Sequence, residues 1–221
     1  ERPTPGADNG SGVAFISETP VVVTKDGVYN NVDGVTVELN GSGPLYYTLD
    51  GSVPTAKSKR YSAPFLLKST TAVRVACIEE DKLPSDVVTA TYIINENHTL
   101  PVVSLVAEPT TLFGRQGIYT NYNWDKEVRC NLKLFETDGN SFTIDAGVKM
   151  HGHTGLKSDK KSFKVNFRGR YGQDILTYPG TSMYWQLHHR GRNYAGSSAK
   201  DGGAWLPDGF SYTRTYSGKT T

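Results

Sequence analysis

The chain has 221 residues, and its 37% hydrophobic content can build a core without disulfide staples. Its 24 basic and 22 acidic residues are interspersed along the chain, and the formal net charge is +2. This distribution indicates neither a nucleic-acid-binding surface nor a basic face that binds membranes. No apolar run is long enough to cross a bilayer, so we expect neither a nucleic-acid partner nor membrane insertion.

Residues 1–12 combine Pro, Gly, Asn and Ser with almost no apolar content. Such a composition cannot bury enough surface to pack, and it is typical of a disordered leader or linker.

Residues 13–95 read as short β-branched runs separated by turn residues, which predicts strands at 21–23, 35–39, 45–49, 65–67, 72–78 and 87–94. The turns carry residues that tolerate positive φ, such as Asp50-Gly51-Ser52. Six or seven strands in so short a segment predict an immunoglobulin-like β-sandwich. We expect one of the adjacent Tyr46 and Tyr47 to point into it and the other outwards.

Four ordered blocks in this segment carry a resemblance: YYTLDGSVPT at 46–55, YSAP at 61–64, TTAVRVA at 70–76, and PS with TATY at 84–92. They resemble the chitobiase and β-hexosaminidase C-terminal type of immunoglobulin-like domain. That resemblance implies a secreted or cell-surface protein. It also implies that the module is a non-catalytic companion to carbohydrate-active or surface proteins.

The polar residues 95–99 interrupt the strand pattern, so the sequence predicts a domain boundary there. Residues 96–221 form a second, β-rich region with strands expected at 102–107, 128–135, 142–150 and 162–167. Its last part is irregular and rich in Gly, Ser and Tyr.

The second region resembles the beginning of the spore-coat protein H (CotH) kinase family, through LPVVSLV at 100–106, AGVKMHGHTG at 146–155 and KKSFKVNFR at 160–168. An immunoglobulin-like module of the kind above commonly precedes that domain. The likeness stops near residue 179, and we expect the second lobe with its metal-holding acids to be missing. Half a phosphoryl-transfer site should not catalyse, so the sequence predicts no catalytic residues.

Alternation along residues 162–167 predicts that Lys164, Asn166 and Arg168 share one strand face and that Phe163, Val165 and Phe167 share the other. The resemblance makes Lys161, Lys164 and Arg168 candidates for nucleotide binding. An ordinary solvated face remains the alternative.

Histidine and cysteine are the residue types that could support metal or disulfide chemistry. His151 and His153 lie in a His-Gly-His turn without the convergent third ligand that a zinc site needs, so no metal is predicted. Cys77 and Cys130 each lie in a predicted strand of a different domain, which favours two separate buried thiols over a disulfide.

Aromatic residues make up 11% of the chain and concentrate near its end among Gly and Ser. Sugar rings stack on exposed aromatic faces, which makes Trp124, Tyr184, Trp185 and Trp205 candidates for carbohydrate binding. The alternative is that these aromatics pack a short irregular core.

The sequence therefore predicts a mostly β, exported accessory or surface-associated module without cofactors, whose expected partner is a polysaccharide or a cell-surface glycan. One alternative is a catalytic fragment of an atypical CotH-family protein kinase, which would use ATP and Mg²⁺. The other is a glycoside hydrolase with a carboxylate pair among Asp125, Glu127, Glu136, Asp138 and Asp145.

Overall fold

The computed structural model describes residues 15–151 and 161–172, together with the backbone of the short strands Ile175–Thr177, Trp185–His188 and Asn193–Ala195. The chain divides into two compact units, Glu1–Ile94 and Asn95–Thr221, which we describe separately. Among the described residues strands dominate and one short helix occurs, which confirms the mostly β fold class. No helix in this part of the chain is long and apolar enough to span a membrane.

The first unit contains nine strands within its described residues. They are β1 (Val21–Val22), β2 (Gly27–Tyr29), β3 (Val35–Val37), β4 (Leu39–Asn40), β5 (Leu45–Thr48), β6 (Lys59–Arg60), β7 (Phe65–Leu67), β8 (Thr71–Cys77) and β9 (Val88–Ile94). A five-stranded sheet has the order β2-β9-β8-β5-β6, with only β2 and β9 parallel, and the pairs β1–β4 and β3–β7 complete the unit.

Alternating side chains of these strands fill the core of the first unit. Val73, Val75 and Tyr92 are fully buried, because every second residue of β8 and β9 faces inwards. Tyr47 is buried and stacks on Phe65 with ring centroids 4.5 Å apart, whereas Tyr46 is only half-buried. The predicted division of this tyrosine pair is confirmed.

The second unit is built on an antiparallel sheet of four consecutive strands, β10 (Val102–Ala107), β11 (Val128–Phe135), β12 (Ser141–His151) and β13 (Ser162–Asn166). Helix α1 (Pro109–Leu112) follows β10, and a 3₁₀ helix spans Gly169–Tyr171. The strands β14 (Ile175–Thr177), β15 (Trp185–His188) and β16 (Asn193–Ala195) form a separate three-stranded sheet, where the sequence predicted an irregular end.

The four-stranded sheet has one apolar and one polar face. Val128, Cys130, Leu132 and Leu134 alternate on β11 and are buried with Ile118, which lies in the connection between α1 and β11. On the opposite face, cross-strand polar pairs such as Asn131 and Asp145 hydrogen-bond at 2.9 Å.

The hairpin between β11 and β12 turns at Asp138-Gly139-Asn140, as the residue types indicate. Gly139 adopts a φ of +87°, which glycine reaches without a steric penalty, and Asp138 Oδ1 accepts a 2.9 Å hydrogen bond from the backbone N–H of Asn140. The register that follows pairs Phe135 with Ser141 and fixes which residues of β12 face the core.

Cys77 and Cys130 are free, buried and located in different units, which confirms the prediction of separate thiols. Burial raises the pKa of the Cys130 thiol to about 12. A thiol with so high a pKa is protonated and unreactive at neutral pH.

Candidate functional site

Residues 113–126, in the connection between α1 and β11, are called the aromatic loop here because they include Phe113, Tyr119, Tyr122 and Trp124. It is anchored by Ile118, whose side chain is completely buried. The backbone N–H groups of Ile118 and Tyr119 donate 2.8 Å hydrogen bonds to the carbonyls of Thr111 and Leu112. The start of the loop is therefore pinned to the helix.

A close backbone approach at Gly117 completes this anchor. A Cβ at Gly117 would lie 2.5 Å from the carbonyl carbon of Leu112 and 2.6 Å from the backbone nitrogen of Phe113. These are backbone atoms that cannot rotate away, so the position requires glycine.

The second half of the loop is braced by polar groups. The side-chain amide of Asn121 donates 3.0 Å hydrogen bonds to the carbonyls of Arg115 and Gly117, and the backbone N–H of Trp124 donates to the Asn121 carbonyl at 2.9 Å. Thr120 Oγ1 donates to the Phe113 carbonyl at 2.8 Å. The loop thus holds its aromatic side chains on a fixed backbone, which lowers the entropy cost of binding a ligand.

Two of the four aromatic side chains are strongly exposed. Phe113 is 63% and Trp124 46% accessible, whereas Tyr119 and Tyr122 are half-buried. The Phe113 and Tyr119 ring centroids lie 5.4 Å apart, and Tyr119 lies 5.9 Å from Phe163 of β13. The exposed Phe113 ring therefore packs on Tyr119, which in turn packs on Phe163.

Two lysine side chains lie over these rings. The Lys161 ammonium nitrogen is 5.1 Å from the ring centroids of both Tyr119 and Tyr122, and that of Lys126 is 6.0 Å from the Trp124 ring. Lys161 also donates its backbone N–H to the Tyr119 hydroxyl at 3.3 Å. Cations at such distances are attracted to the negative faces of the rings.

The three basic residues singled out for nucleotide binding have different surroundings. Lys161 contacts Tyr119, which also contacts Phe163, while Lys164 is paired in register with Lys149 on the polar face. Arg168 lies beyond β13 and donates to the carboxylate of Glu127 at 3.0 Å. Lys164 and Arg168 thus lie towards the polar face, and Lys161 lies with the aromatic loop.

Glu127, directly before β11, is the centre of a hydrogen-bonded cluster that the sequence did not indicate. Its side chain is 9% exposed and accepts hydrogen bonds from Asn166 at 2.6 Å, from Arg168 at 3.0 Å, from the Tyr171 hydroxyl at 2.8 Å, and from Arg170. This arrangement fastens the 3₁₀ helix Gly169–Tyr171 to the sheet.

Asp125 and Glu127, two of the candidate acids, do not suit glycoside hydrolysis. Burial raises the pKa of Glu127, but hydrogen bonds from Arg168, Tyr171 and Arg170 outweigh it and hold the pKa below its ordinary value. The Lys149 ammonium group, 2.6 Å from Asp125 Oδ1, lowers the pKa of Asp125. A general acid needs a raised pKa, so neither group is suited to protonate a leaving sugar oxygen.

The remaining sequence candidates take the following places. Trp185 is the first residue of β15, and Tyr184 and Trp205 lie outside the described residues. His151 ends β12, and its pKa is lowered by partial desolvation of the ring and by the nearby Lys164 and Lys149; His153 lies outside the described residues. Within the part of the chain that the structure describes, no three metal-ligating side chains come together.

Comparison with known proteins gives one family for the first unit. The family model described as Fn3 associated matches residues 35–92, which run from β3 into β9. No curated protein and no solved structure matches the chain. The match indicates a β-type domain of the fibronectin type III associated kind, which suggests an accessory or extracellular module. It gives no support for the chitobiase-type and CotH resemblances, which stay predictions.

The sequence singled out Trp124 as a candidate for carbohydrate binding but not its loop neighbours Phe113, Tyr119 and Tyr122. One sequence feature could have identified these residues, namely the high density of aromatic residues between 113 and 124 in a segment with neither helical nor strand periodicity. Such a segment has no sheet or helix face on which to bury all of its rings, and some of them must face the solvent.

Proposed function

We propose that this protein is an exported, non-catalytic accessory module that binds a polysaccharide through the aromatic loop of its second unit. The observation that carries the proposal is the exposure of Phe113 and Trp124 on a loop whose backbone is fixed by hydrogen bonds and a buried anchor. The Fn3-associated match in the first unit supports the accessory role. Secretion or surface display is part of the same proposal.

The physical basis is the stacking of sugar rings on flat aromatic faces. Exposed Phe and Trp side chains offer large apolar area with few rotatable bonds, so little conformational entropy is lost when a ligand is bound. Half-buried Tyr119 and Tyr122 bring hydroxyl groups close to the same loop, and such groups can hydrogen-bond to sugar hydroxyls.

The kinase alternative has less support. Binding of ATP with Mg²⁺ by Lys161, Lys164 and Arg168 would require these three cations to converge on phosphate groups. Arg168 is instead bound by the Glu127 carboxylate, and Lys161 lies over the tyrosine rings. The glycoside hydrolase alternative would need another carboxylate pair than Asp125 and Glu127, because both of these have lowered pKa values.

Replacing Phe113 or Trp124 by alanine is expected to weaken binding to an insoluble polysaccharide. Loss of one stacking ring should reduce the affinity about fivefold to tenfold, since truncated aromatic contacts commonly cost about 1 kcal/mol or more. The measurement is a depletion isotherm of the full chain on cellulose, chitin and insoluble pectin. Both side chains are exposed, so the folded structure should be retained.

Phe15 provides the matched control, because it is an aromatic residue of the first unit with 69% exposure. Phe15→Ala should leave the isotherm unchanged. Equal retention of the wild type, Phe113→Ala and Trp124→Ala would remove the aromatic loop from the binding site. Testing Trp185→Ala and Trp205→Ala in the same assay shows whether those residues contribute.

A further inference from the structure

The aromatic loop combines two features that together narrow the ligand class. Its rings offer stacking surfaces, and ammonium groups are held beside those rings by Lys161 and Lys126. We propose that the polysaccharide bound at this loop is anionic, with acidic groups on its sugar units that pair with Lys161 and Lys126. This inference rests on the proposed function and names its substrate class.

Lys161 is held in place from two sides. Its backbone N–H donates to the Tyr119 hydroxyl at 3.3 Å, and its ammonium nitrogen lies 5.1 Å from the rings of Tyr119 and Tyr122. A lysine side chain normally loses substantial rotamer entropy when it is fixed. Because the rings already restrict Lys161, less of that entropy remains to be lost when an anion binds.

Lys126 is similarly placed at the other end of the loop. Its ammonium group donates to the Gln116 carbonyl at 3.1 Å and lies 6.0 Å from the exposed Trp124 ring. A carbonyl acceptor does not neutralise the charge, and an ammonium group has three donors. A sugar ring that stacks on Trp124 would bring an acidic substituent within reach of this cation.

The charge balance of the surface also favours an anion. The aromatic loop and the adjoining start of β13 carry the cations Arg115, Lys126 and Lys161, and the acid in this set, Asp125, pairs with Lys149 at 2.6 Å. Glu127, which directly follows the loop, is bound by Arg168, so both acids beside these cations are paired with basic residues from other parts of the unit. A cationic surface raises the local concentration of an anionic polymer and the rate of its association.

The test compares polymers that share a backbone and differ in charge. Polygalacturonate and its fully methyl-esterified form make one pair, and dextran sulfate and dextran make the other, so that carboxylate and sulfate are distinguished. Affinity of the full chain is measured for each polymer at low and high salt. We expect at least one anionic polymer to bind about tenfold more tightly than its neutral partner at low salt, with the difference shrinking at high salt.

Single variants connect this preference to the loop. Lys161→Gln should lower the affinity for the anionic polymer about fivefold, the loss expected for one charge-assisted contact. It should leave the neutral form unchanged, and Lys161→Arg should retain the anion preference. Lys57→Gln, at an exposed lysine of the first unit, is the matched control and should change nothing.

The outcomes separate this inference from the proposed function. Equal affinity for anionic and neutral partners, with loss of binding in Trp124→Ala, would overturn the anion preference and leave the polysaccharide function standing. An anion preference that survives Lys161→Gln and Lys126→Gln would remove these lysines from the site. Absence of binding to every polymer would overturn both proposals.

Discussion

Glu127→Ala is expected to lower the free energy of unfolding of the second unit by about 2–3 kcal/mol, since removing it leaves buried hydrogen-bond donors without their acceptor. The carboxylate receives donors from Asn166, Arg168, Arg170 and Tyr171. Asn166 is 2% exposed and cannot turn to solvent. The Arg168 side chain is 39% exposed, so leaving its guanidinium group without the Glu127 carboxylate costs less free energy than leaving a fully buried donor unpaired.

The measurement can be confined to the second unit because all three tryptophans of the chain, Trp124, Trp185 and Trp205, fall in residues 95–221. Urea unfolding followed by tryptophan fluorescence therefore reports this unit. The matched control is Asp125→Ala, which removes a neighbouring carboxylate that is 86% exposed and should change the midpoint little. An unchanged midpoint for Glu127→Ala would show that the cluster does not stabilise the fold.

The same carboxylate makes the stability of the second unit dependent on pH. Its pKa in the folded chain lies below the ordinary value of 4.5, so its stabilisation is complete above that value. It is lost as the pH falls from there through the folded pKa. The stability difference between the wild type and Glu127→Gln should accordingly shrink below pH 4.5.

Gly117→Ala is expected to displace the aromatic loop and to lower the free energy of unfolding of the second unit by about 1–3 kcal/mol, the range typical of overpacking. The added Cβ would meet the backbone of Leu112 and Phe113 at 2.5 and 2.6 Å. The carbonyls of Thr111 and Leu112 accept hydrogen bonds from the backbone N–H groups of Ile118 and Tyr119. A shift of the loop that relieved the clash would break these hydrogen bonds.

Polysaccharide retention should fall together with stability in Gly117→Ala, because the rings lose their common support. Gly169→Ala is the matched control, since no atom lies within 4 Å of a Cβ at that glycine. It should leave both properties nearly unchanged. A Gly117→Ala variant with the stability and retention of the wild type would contradict the fixed geometry of the loop.

The strands of the second unit were predictable because alternation and length agree in them. Strand β11, Val128–Phe135, spans an alternating apolar pattern, and strand β10, Val102–Ala107, spans a short apolar run of the length of a strand. Strands β2 and β6 were not predicted. A strand of two or three residues forms by pairing with its neighbour and is too short to show an alternating pattern. Helix α1, with four residues, is likewise too short to show one.

The Glu127 cluster shows why a site is harder to predict than a strand. Its donors lie about forty residues further along the chain, and they meet the carboxylate only because Gly147 lies between β11 and β13 in register. A Cβ at Gly147 would lie 2.5 Å from Glu127 Oε1 and 2.6 Å from the Tyr171 ring. The donors therefore reach Glu127 because of the sheet register and because Gly147 has no side chain, and a local sequence pattern does not show either condition.

Chemical-shift mapping tests the central claim most directly. The full chain, labelled with ¹⁵N, is titrated with an oligosaccharide of whichever polymer retains it most strongly. Binding through the aromatic loop predicts that the largest shifts occur at residues 113–126 and at Lys161, and that they vanish in a Phe113→Ala, Trp124→Ala double variant. Shifts confined to residues 15–94, or shifts that persist in the double variant, would contradict it.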